Sequence, residues 1–121
     1  MLDKILSIKD VSSCPVQYVL AINDTLNALT GKWKMPIIGT LLFKKKRFTE
    51  IQKNIPNITA RMLSKELKDL EINGIVKRTV YNTIPVAVEY ELTESAELLK
   101  EVVDKMLVWG IQHRSRAGIR R

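Results

Sequence analysis

The chain has 121 residues, 45% hydrophobic and 27% charged, with a net charge of +7, which indicates one soluble globular domain with a single core. No apolar run approaches the roughly 20 residues that span a bilayer, and the mixed acids and bases of the first residues predict no signal peptide. The single cysteine, Cys14, cannot form an internal disulfide and suits a reducing cytoplasm, where we expect the protein to act.

The first third of the chain predicts an extension followed by two helices. Residues 1–13 have no clear pattern, and their apolar side chains fit either a short helix or an arm along the body. Over residues 16–30 the apolar residues recur three or four apart, which predicts one buried helical stripe. Gly31 ends this helix, because glycine adopts positive φ freely. Residues 35–43 predict a second helix, with Pro36 in its first turn, where a missing N–H costs little.

A basic run and a short helix come next. Residues 44–47 are consecutive Lys and Arg, which indicate a solvated loop that could also meet phosphates. Thr49, with Gln52 three residues later, fits a capping box and predicts a short helix. Residues 55–57, Ile-Pro-Asn, end that helix and form a turn.

A longer amphipathic helix follows the turn, and together they predict a helix-turn-helix. Thr59 is the predicted N-cap of this helix, which runs to Asn73 and ends at Gly74. On a helical wheel of about 100° per residue, one face carries Leu63, Leu67 and Leu70. The opposite face carries Arg61, Ser64, Lys65 and Lys68. One face therefore suits the core and the other suits an anionic partner.

Two strands and a last helix complete the pattern. Residues 75–81 are rich in β-branched side chains, and residues 86–92 alternate apolar with mostly polar side chains, which predicts two strands. The short connection at residues 82–85 makes them a hairpin, the wing of a winged helix-turn-helix. Thr93 caps a final helix over about residues 94–112, with acids in its first turn, where the helix dipole favours them.

The last helix is apolar over more than one face, which predicts a partner beyond its own domain. Because two-fold homodimers are the commonest oligomers, we expect a second copy of the chain there, and residues 1–13 folding back are the alternative cover. The predicted dimer interface consists of Val19, Ile22, Leu26, Leu99, Val102, Val103, Met106 and Trp109.

The predicted fold class is α+β, mainly α: a winged helix-turn-helix with an added N-terminal helix and a long C-terminal dimerisation helix. Its boundaries are an extension at 1–13, the domain at 14–112 and a basic tail at 113–121.

The positive charge is concentrated on the predicted DNA-binding motif. Residues 44–81 carry ten Lys or Arg against four acids, whereas residues 82–112 carry two Lys against six acids. A basic zone confined to one motif is the electrostatic signature of a nucleic-acid-binding protein. A generally basic surface would not leave the neighbouring segment acidic.

Short segments of a recognisable pattern occur in order along residues 14–110: CPV at 14–16, GKW at 31–33, RFTEI at 47–51, ITARMLSKELKDLE at 58–71, GIVKRTVY at 74–81, VEYELT at 88–93 and WG at 109–110. With these segments the chain resembles the HxlR-type family of bacterial winged-helix regulators, which is related to the MarR group. The resemblance implies a cytoplasmic, dimeric transcription factor whose first and last helices form the dimer interface. Asn82 stands where the family usually has proline, and Ala87 where a basic residue is common, so the wing tip gives less reason to expect contact with the minor groove.

The resemblance and the helix-turn-helix pattern imply that the N-terminal half of the second helix of the motif, which follows Thr59, reads the DNA bases. Lys and Arg residues around this helix would neutralise the DNA phosphates. For base reading we predict Thr59, Ala60, Arg61, Ser64 and Lys65, with Arg61 bidentate to guanine. For the DNA backbone we predict Thr49, Gln52, Lys53, Lys68, Lys77 and Arg78. The expected partner is double-stranded DNA, bound by a homodimer at a pseudo-palindromic operator. A protein-interaction module and a non-specific nucleic-acid binder are the alternatives.

Cys14 is the one candidate for chemistry. It precedes a helix, whose N-terminal dipole favours the thiolate, and the resemblance implies that some relatives sense oxidants or electrophiles with a thiol in this region. The alternative is a small buried apolar side chain. A small-molecule effector is a further expectation. One His and one Cys far apart offer no metal cluster, and we find no catalytic triad and no phosphate loop, so we expect no enzyme activity, metal or cofactor.

Overall fold

The computed structural model of the protein describes Ile8 and residues 12–118. The predicted extension, residues 1–13, lies largely outside these described residues, as do the last three residues of the predicted basic tail. The chain divides into two compact units, Met1–Gly31 and Lys32–Arg121. Each unit is described by itself below.

The first unit contains helix α1, Pro15–Asn27, with proline in its first turn. The helix is shorter than the predicted span of residues 16–30, because Leu29 and Thr30 both donate their N–H groups to the carbonyl of Leu26 and close a turn. Gly31 has the expected positive φ, +117°, but it lies four residues after the end of the helix, so the prediction that it ends the helix is wrong. No residue of α1 is buried.

Three helices build the core of the second unit: α2, Lys34–Leu41, α3, Phe48–Asn54, and α4, Ala60–Ile72. Helix α2 ends two residues before the predicted end. The fully buried side chains of these helices are Ile37, Ile38, Ile51, Leu63, Leu67 and Leu70. Helix α2 contacts both α3 and α4, so these side chains form the core on which α3 and α4 are arranged as a helix-turn-helix.

The wing is an antiparallel hairpin of β1, Val76–Tyr81, and β2, Ala87–Leu92. Its register pairs Val76 with Leu92 at the base and Tyr81 with Ala87 near the tip. Val76 and Leu92 are buried, so this face of the hairpin packs on the core at the base. Both strands are one residue shorter at the start than predicted, and the predicted winged helix-turn-helix of mainly α character is confirmed.

The predicted last helix, residues 94–112, is wrong in two respects. It is interrupted at Leu98, which separates a single turn, α5, Glu94–Glu97, from the long helix α6, Leu99–Arg116. The N–H of Leu98 bonds to the carbonyl of Ser95, a tighter i→i+3 turn that breaks the α-helical hydrogen-bond pattern. The helix then continues to Arg116, beyond the predicted end. Within the described residues no helix has the length and apolar character needed to cross a membrane.

Candidate nucleic-acid interface

The turn before helix α4 contains a residue in the left-handed conformation and an N-cap residue. Asn57 has φ of 69°, a left-handed conformation that asparagine tolerates better than most residues. Thr59 is the N-cap, and its side-chain oxygen accepts a hydrogen bond from the N–H of Met62 at 3.1 Å. The predicted cap is therefore confirmed, and it places the first turn of α4 at the surface, since Thr59, Ala60 and Arg61 are all exposed.

The two predicted faces of α4 separate in the structure. Leu63, Leu67 and Leu70 are at most 1% exposed. The polar positions Arg61, Ser64, Lys65 and Lys68 are all exposed. Among the described residues, no carboxylate forms an ion pair with Arg61, Lys65 or Lys68. Their charge is therefore available to an external anion.

Two of the three acidic residues of α4, Glu66 and Asp69, contact a lysine from another helix. Lys34, the first residue of α2, places its Nζ 2.6 Å from Glu66 Oε1 and 3.7 Å from Asp69 Oδ2. The Lys34 and Glu66 side chains are only 14% and 15% exposed. This arrangement offsets the negative charge of α4 on its α2 side and leaves Arg61, Lys65 and Lys68 exposed elsewhere on the helix. No local pattern predicts this role of Lys34, because its partner lies 32 residues away.

Helix α3 starts two residues earlier than a Thr49 cap would require, so the predicted Thr49–Gln52 capping box is wrong. Arg47 is the N-cap residue, and its backbone N–H donates to Glu50 Oε1 at 2.9 Å. This hydrogen bond, together with the nearby charges of Lys44 and Arg47, lowers the pKa of Glu50 below its ordinary value of 4.5. Thr49 thus lies in the first turn of α3 and is exposed.

Gln52 has a structural role besides the predicted one. Its Nε2 donates to the backbone oxygen of Ile58 at 3.4 Å, which ties α3 to the turn before α4, and the side chain is half-buried. Lys53 is exposed. Only part of Gln52, including its amide oxygen, is left for a DNA contact.

The basic run of residues 44–47 is not the uniformly solvated loop that was predicted. Lys46 is only 9% exposed; its Nζ donates to the carbonyl of Thr40 at 2.5 Å, and its backbone exchanges two hydrogen bonds with Tyr90. Lys45 lies beside the Tyr81 hydroxyl at 3.4 Å, and this hydrogen bond raises the pKa of Lys45. Lys44, Lys45 and Arg47 are exposed, but Lys45 also lies 3.7 Å from Glu89 Oε1, so Lys44 and Arg47 are the exposed members without such a partner among the described residues.

The two predicted wing contacts lie on opposite faces of β1. Lys77 pairs with Glu91, whereas Arg78 pairs with Tyr90. Since successive strand residues alternate, Arg78 shares the face of Val76, the face that packs on the core holding α4. Both side chains are exposed. The sequence pattern did not distinguish Lys77 from Arg78, whereas the strand pairing places them on opposite faces of the hairpin.

The predicted interface residues of α1 and α6 are poorly buried. In α1, Val19, Ile22 and Leu26 are exposed, and in α6, Val102, Met106 and Trp109 are exposed while Leu99 and Val103 are half-buried. The rings of Trp109 and His113 stack with centroids 4.8 Å apart. The apolar surface of α6 therefore has no cover among the described residues of its own unit.

Cys14 is the residue immediately before α1. It has an extended backbone conformation and is half-buried, and its side chain makes no capping hydrogen bond to the helix. It is therefore neither the fully buried apolar residue of the alternative nor fully exposed. Among the described residues, no group of three or more His, Cys, Asp or Glu side chains has the arrangement needed to hold a metal ion.

An exposed basic helix, supported by a shorter helix and flanked by a two-stranded wing, defines the winged-helix class of DNA-binding proteins. Comparison with known families agrees: the HxlR-like helix-turn-helix family matches residues 28–117. The chain belongs to the HxlR-like helix-turn-helix family, a non-enzymatic family of DNA-binding transcriptional regulators.

Individual relatives support the assignment. The HTH-type transcriptional regulator YtcD of Bacillus subtilis (strain 168) is 40% identical over 100 residues, which cover 83% of this chain and 79% of YtcD. The solved structure of the redox regulator HypR in its reduced form is 40% identical, with a TM-score of 0.75 over 81% of this chain and 97% of that one. Reduced YodB, a transcriptional regulator from B. subtilis, is 38% identical with a TM-score of 0.69, over 82% and 92% of the two chains.

Proposed function

We propose that the protein is a sequence-specific transcriptional regulator that binds a pseudo-palindromic operator as a homodimer in the cytoplasm. The observation that carries this proposal is the charge separation on α4. Two of its three acids, Glu66 and Asp69, face Lys34 of α2, while Arg61, Lys65 and Lys68 remain exposed without a carboxylate partner among the described residues. The N-terminal half of such a helix can enter the major groove without placing a carboxylate against the phosphates, because the remaining acid, Glu71, lies in its last turn.

The N-terminal half of α4 is the proposed reading surface. Helices of this class read base edges with residues near their N-terminus, and the first turn of α4 is capped and exposed. Arg61 has the planar, five-donor group that matches the two acceptors of guanine. The other proposed base contacts are Thr59, Ala60, Ser64 and Lys65. The proposed backbone contacts are Thr49, Gln52, Lys53, Lys68, Lys77 and Arg78.

Exposed apolar side chains on α1 and α6 support the proposed homodimer. Met106 and Trp109 are 57% and 66% exposed, and Val19 of α1 is 54% exposed. Exposed apolar side chains of this kind mark interaction sites, and a two-fold dimer would present two copies of α4 about 34 Å apart, one helical turn of DNA.

Cys14 is the proposed point of entry for a thiol-reactive signal. It stands immediately before α1, and it is not fully buried. HypR, to which the chain is 40% identical, is described as a redox regulator. In a dimer, the signal would act through the same helices that set the separation of the two recognition helices.

A selection experiment tests the proposal. Duplexes are selected from a randomised DNA pool by the parent protein, and the selected duplex is footprinted and titrated at several salt concentrations. We expect a two-fold symmetric footprint and much weaker binding to a scrambled duplex. Equal affinity for all sequences, lost steeply with salt, would instead indicate a non-specific nucleic-acid binder. No binding at low salt would indicate a protein-interaction module.

A further inference from the structure

A cavity lies in the second unit, between helix α2 and the turn that follows α3. Its volume is about 630 Å³, which is in the range of small-molecule sites. Helix α2 contributes Pro36 and Thr40 to the lining, and the turn contributes Ile55 and Pro56. The lining contains no residue of the proposed DNA contacts or of the predicted dimer interface, so neither of these interactions accounts for the cavity.

The walls of the cavity are mainly apolar. Trp33 is half-buried and Ile55 is 6% exposed, whereas Phe43, in the connection between α2 and α3, is 86% exposed. Proline rings at Pro36 and Pro56 add to this surface. Ligand sites are lined in this way, by apolar and aromatic side chains with a small number of polar groups that fix the orientation of the ligand.

Among the described residues, one cation and no acid line the cavity. The cation is Lys46, which is only 9% exposed. Its Nζ donates to the carbonyl of Thr40 at 2.5 Å and lies 5.9 Å from the centroid of the Phe43 ring, and both of these residues belong to the lining. No carboxylate among the described residues forms an ion pair with Lys46. Because a buried charge without a counterion is costly, this position favours an anion from outside the chain.

The charge of Lys46 is held in place and has donors left for a ligand. Its backbone exchanges two hydrogen bonds with Tyr90, which fixes the start of the side chain. An ammonium group has three N–H donors, and the hydrogen bond to Thr40 uses one of them. A single ammonium group balances one negative charge, so it suits a carboxylate better than a phosphate dianion, and the apolar walls offer few partners to a sugar or a nucleotide.

We propose that this cavity binds a small apolar monocarboxylate. The carboxylate accepts hydrogen bonds from Lys46, and the hydrocarbon body packs on Trp33, Phe43 and Pro56. The site goes beyond the proposed DNA-binding function, and binding of the ligand does not depend on that function.

The ligand would contact the segment that leads into the recognition helix. Pro56 lies between the end of α3 and Thr59, the N-cap of α4. Beside the cavity, the Thr40 hydroxyl donates to Asn54 Oδ1 at 2.8 Å and joins α2 to the end of α3. A ligand bound between α2 and this turn favours one arrangement of the two, so its binding is linked to the position of α4. This consequence, unlike the binding itself, rests on the proposed DNA-binding function.

Calorimetric titration of the parent protein with sodium octanoate tests the inference. We expect saturable binding, and neutral octanamide should bind at least about tenfold more weakly, because it lacks the charge that Lys46 complements. Lys46→Met should weaken octanoate binding by at least about tenfold, because a charge-assisted hydrogen bond is lost. Lys44→Met is the matched control: it removes the same charge from an exposed lysine outside the lining, and it should bind octanoate like the parent.

A second variant keeps the inference testable if Lys46→Met does not fold. Gly39 of α2 presents bare backbone to the cavity, and a Cβ at this position would meet no atom within 4 Å. Gly39→Leu should therefore fold, since leucine favours a helix more than glycine does, and it should abolish octanoate binding by filling the cavity. Urea unfolding of each variant checks that the fold is retained.

The other outcomes separate the site from the function. No saturable binding to the parent, or equal octanoate affinity in the parent and in folded Lys46→Met, would overturn the site. If octanoate does not bind and Phe43→Ser changes the sedimentation of the free protein, a second copy of the chain covers the cavity instead. On the selected duplex, octanoate should change the DNA affinity of the parent and not that of Lys46→Met. Octanoate binding without this change would disprove the link to α4, whereas a parent that binds octanoate and selects no duplex would disprove the proposed function and leave the site.

Discussion

Lys34 Nζ lies 2.6 Å from Glu66 Oε1, and the two side chains are only 14% and 15% exposed. The pair joins the first residue of α2 to the middle of α4, and Asp69 Oδ2 lies 3.7 Å from the same ammonium group. It therefore fixes the rotation of α4 about its own axis in addition to the apolar contacts of its leucines. The basic face of the helix points outward because its acidic side is held.

Lys34→Ala should destabilise the protein by about 1–3 kcal/mol, because it leaves a mostly buried carboxylate at Glu66 without its partner. Urea unfolding of parent and variant measures the free-energy difference. Lys100→Ala is the control: Lys100 lies 2.8 Å from Asp104, but these side chains are 60% and 55% exposed. A solvent-exposed pair of this kind contributes about 0–1 kcal/mol. Equal losses of unfolding free energy in the two variants would show that the Lys34–Glu66 pair stabilises the protein no more than the exposed Lys100–Asp104 pair does.

Arg61→Ala and Lys68→Ala should weaken DNA binding in different ways. Arg61 is in the exposed first turn of α4 and is assigned to a guanine, so its loss should relax base preference at one position by about 1–3 kcal/mol. Lys68 is assigned to a phosphate, so its loss should weaken all sequences alike and reduce the salt slope by about one. Competition binding with single-base variants of the selected duplex measures both effects. Unchanged base preference in Arg61→Ala would show that the recognition helix is wrongly assigned.

The structural features that depend on residues close together in the sequence could be predicted from the sequence. Thr59 as the N-cap of α4 and the leucine stripe behind it were both predictable, because capping residues and helical periodicity act within a few residues. The positive φ of Gly31 was predictable, but the end of α1 at Asn27 was not. These features also specify the basic face of α4, so most of the candidate site could be predicted from the sequence.

Features that depend on distant partners could not be predicted in this way. The burial of Lys46 follows from its backbone pairing with Tyr90, 44 residues away along the chain, and a run of four basic residues gives no hint of it. The break at Leu98 has no glycine or proline to mark it. The role of Lys34 depends on a tertiary contact to α4. In each case the decisive interaction joins segments that the sequence places far apart, or is a choice between two tight turns of similar energy.

Arg78→Ala should weaken binding to the selected duplex more than Lys77→Ala does. Arg78 lies on the acid-free face of the wing, whereas Lys77 stands directly opposite Glu91, whose charge partly offsets it. We expect a several-fold loss for Arg78→Ala with a smaller salt slope, and a loss of less than twofold for Lys77→Ala. The two variants remove one positive charge each and so serve as controls for one another in a gel-shift titration. The reverse order would show that the other face of the hairpin meets DNA.

Met106→Glu should dissociate the proposed homodimer, and Val108→Glu should not. Both side chains are more than half exposed on α6, but two residues at about 100° each place them on nearly opposite sides of the helix, and only Met106 belongs to the predicted interface. A charge placed in an apolar interface is costly. Sedimentation velocity measures the mass, and DNA binding of Met106→Glu should fall because only one recognition helix remains per particle. A parent protein that sediments as a monomer would contradict the dimer.

Oxidation at Cys14 should alter DNA affinity in the parent and leave Cys14→Ser unchanged. Diamide accepts two hydrogens from two thiols, so the product is either a disulfide with the partner's Cys14, if the two Cα atoms lie within about 7 Å, or a mixed disulfide with a small added thiol such as glutathione. Non-reducing gel electrophoresis and mass spectrometry distinguish the two products, and fluorescence anisotropy on the selected duplex measures affinity before and after treatment. Because Cys14 is not fully buried, we expect the folded protein to be modified at this residue. No modification of the folded protein, with no change of affinity on oxidation, would reduce Cys14 to a packing residue at the start of α1.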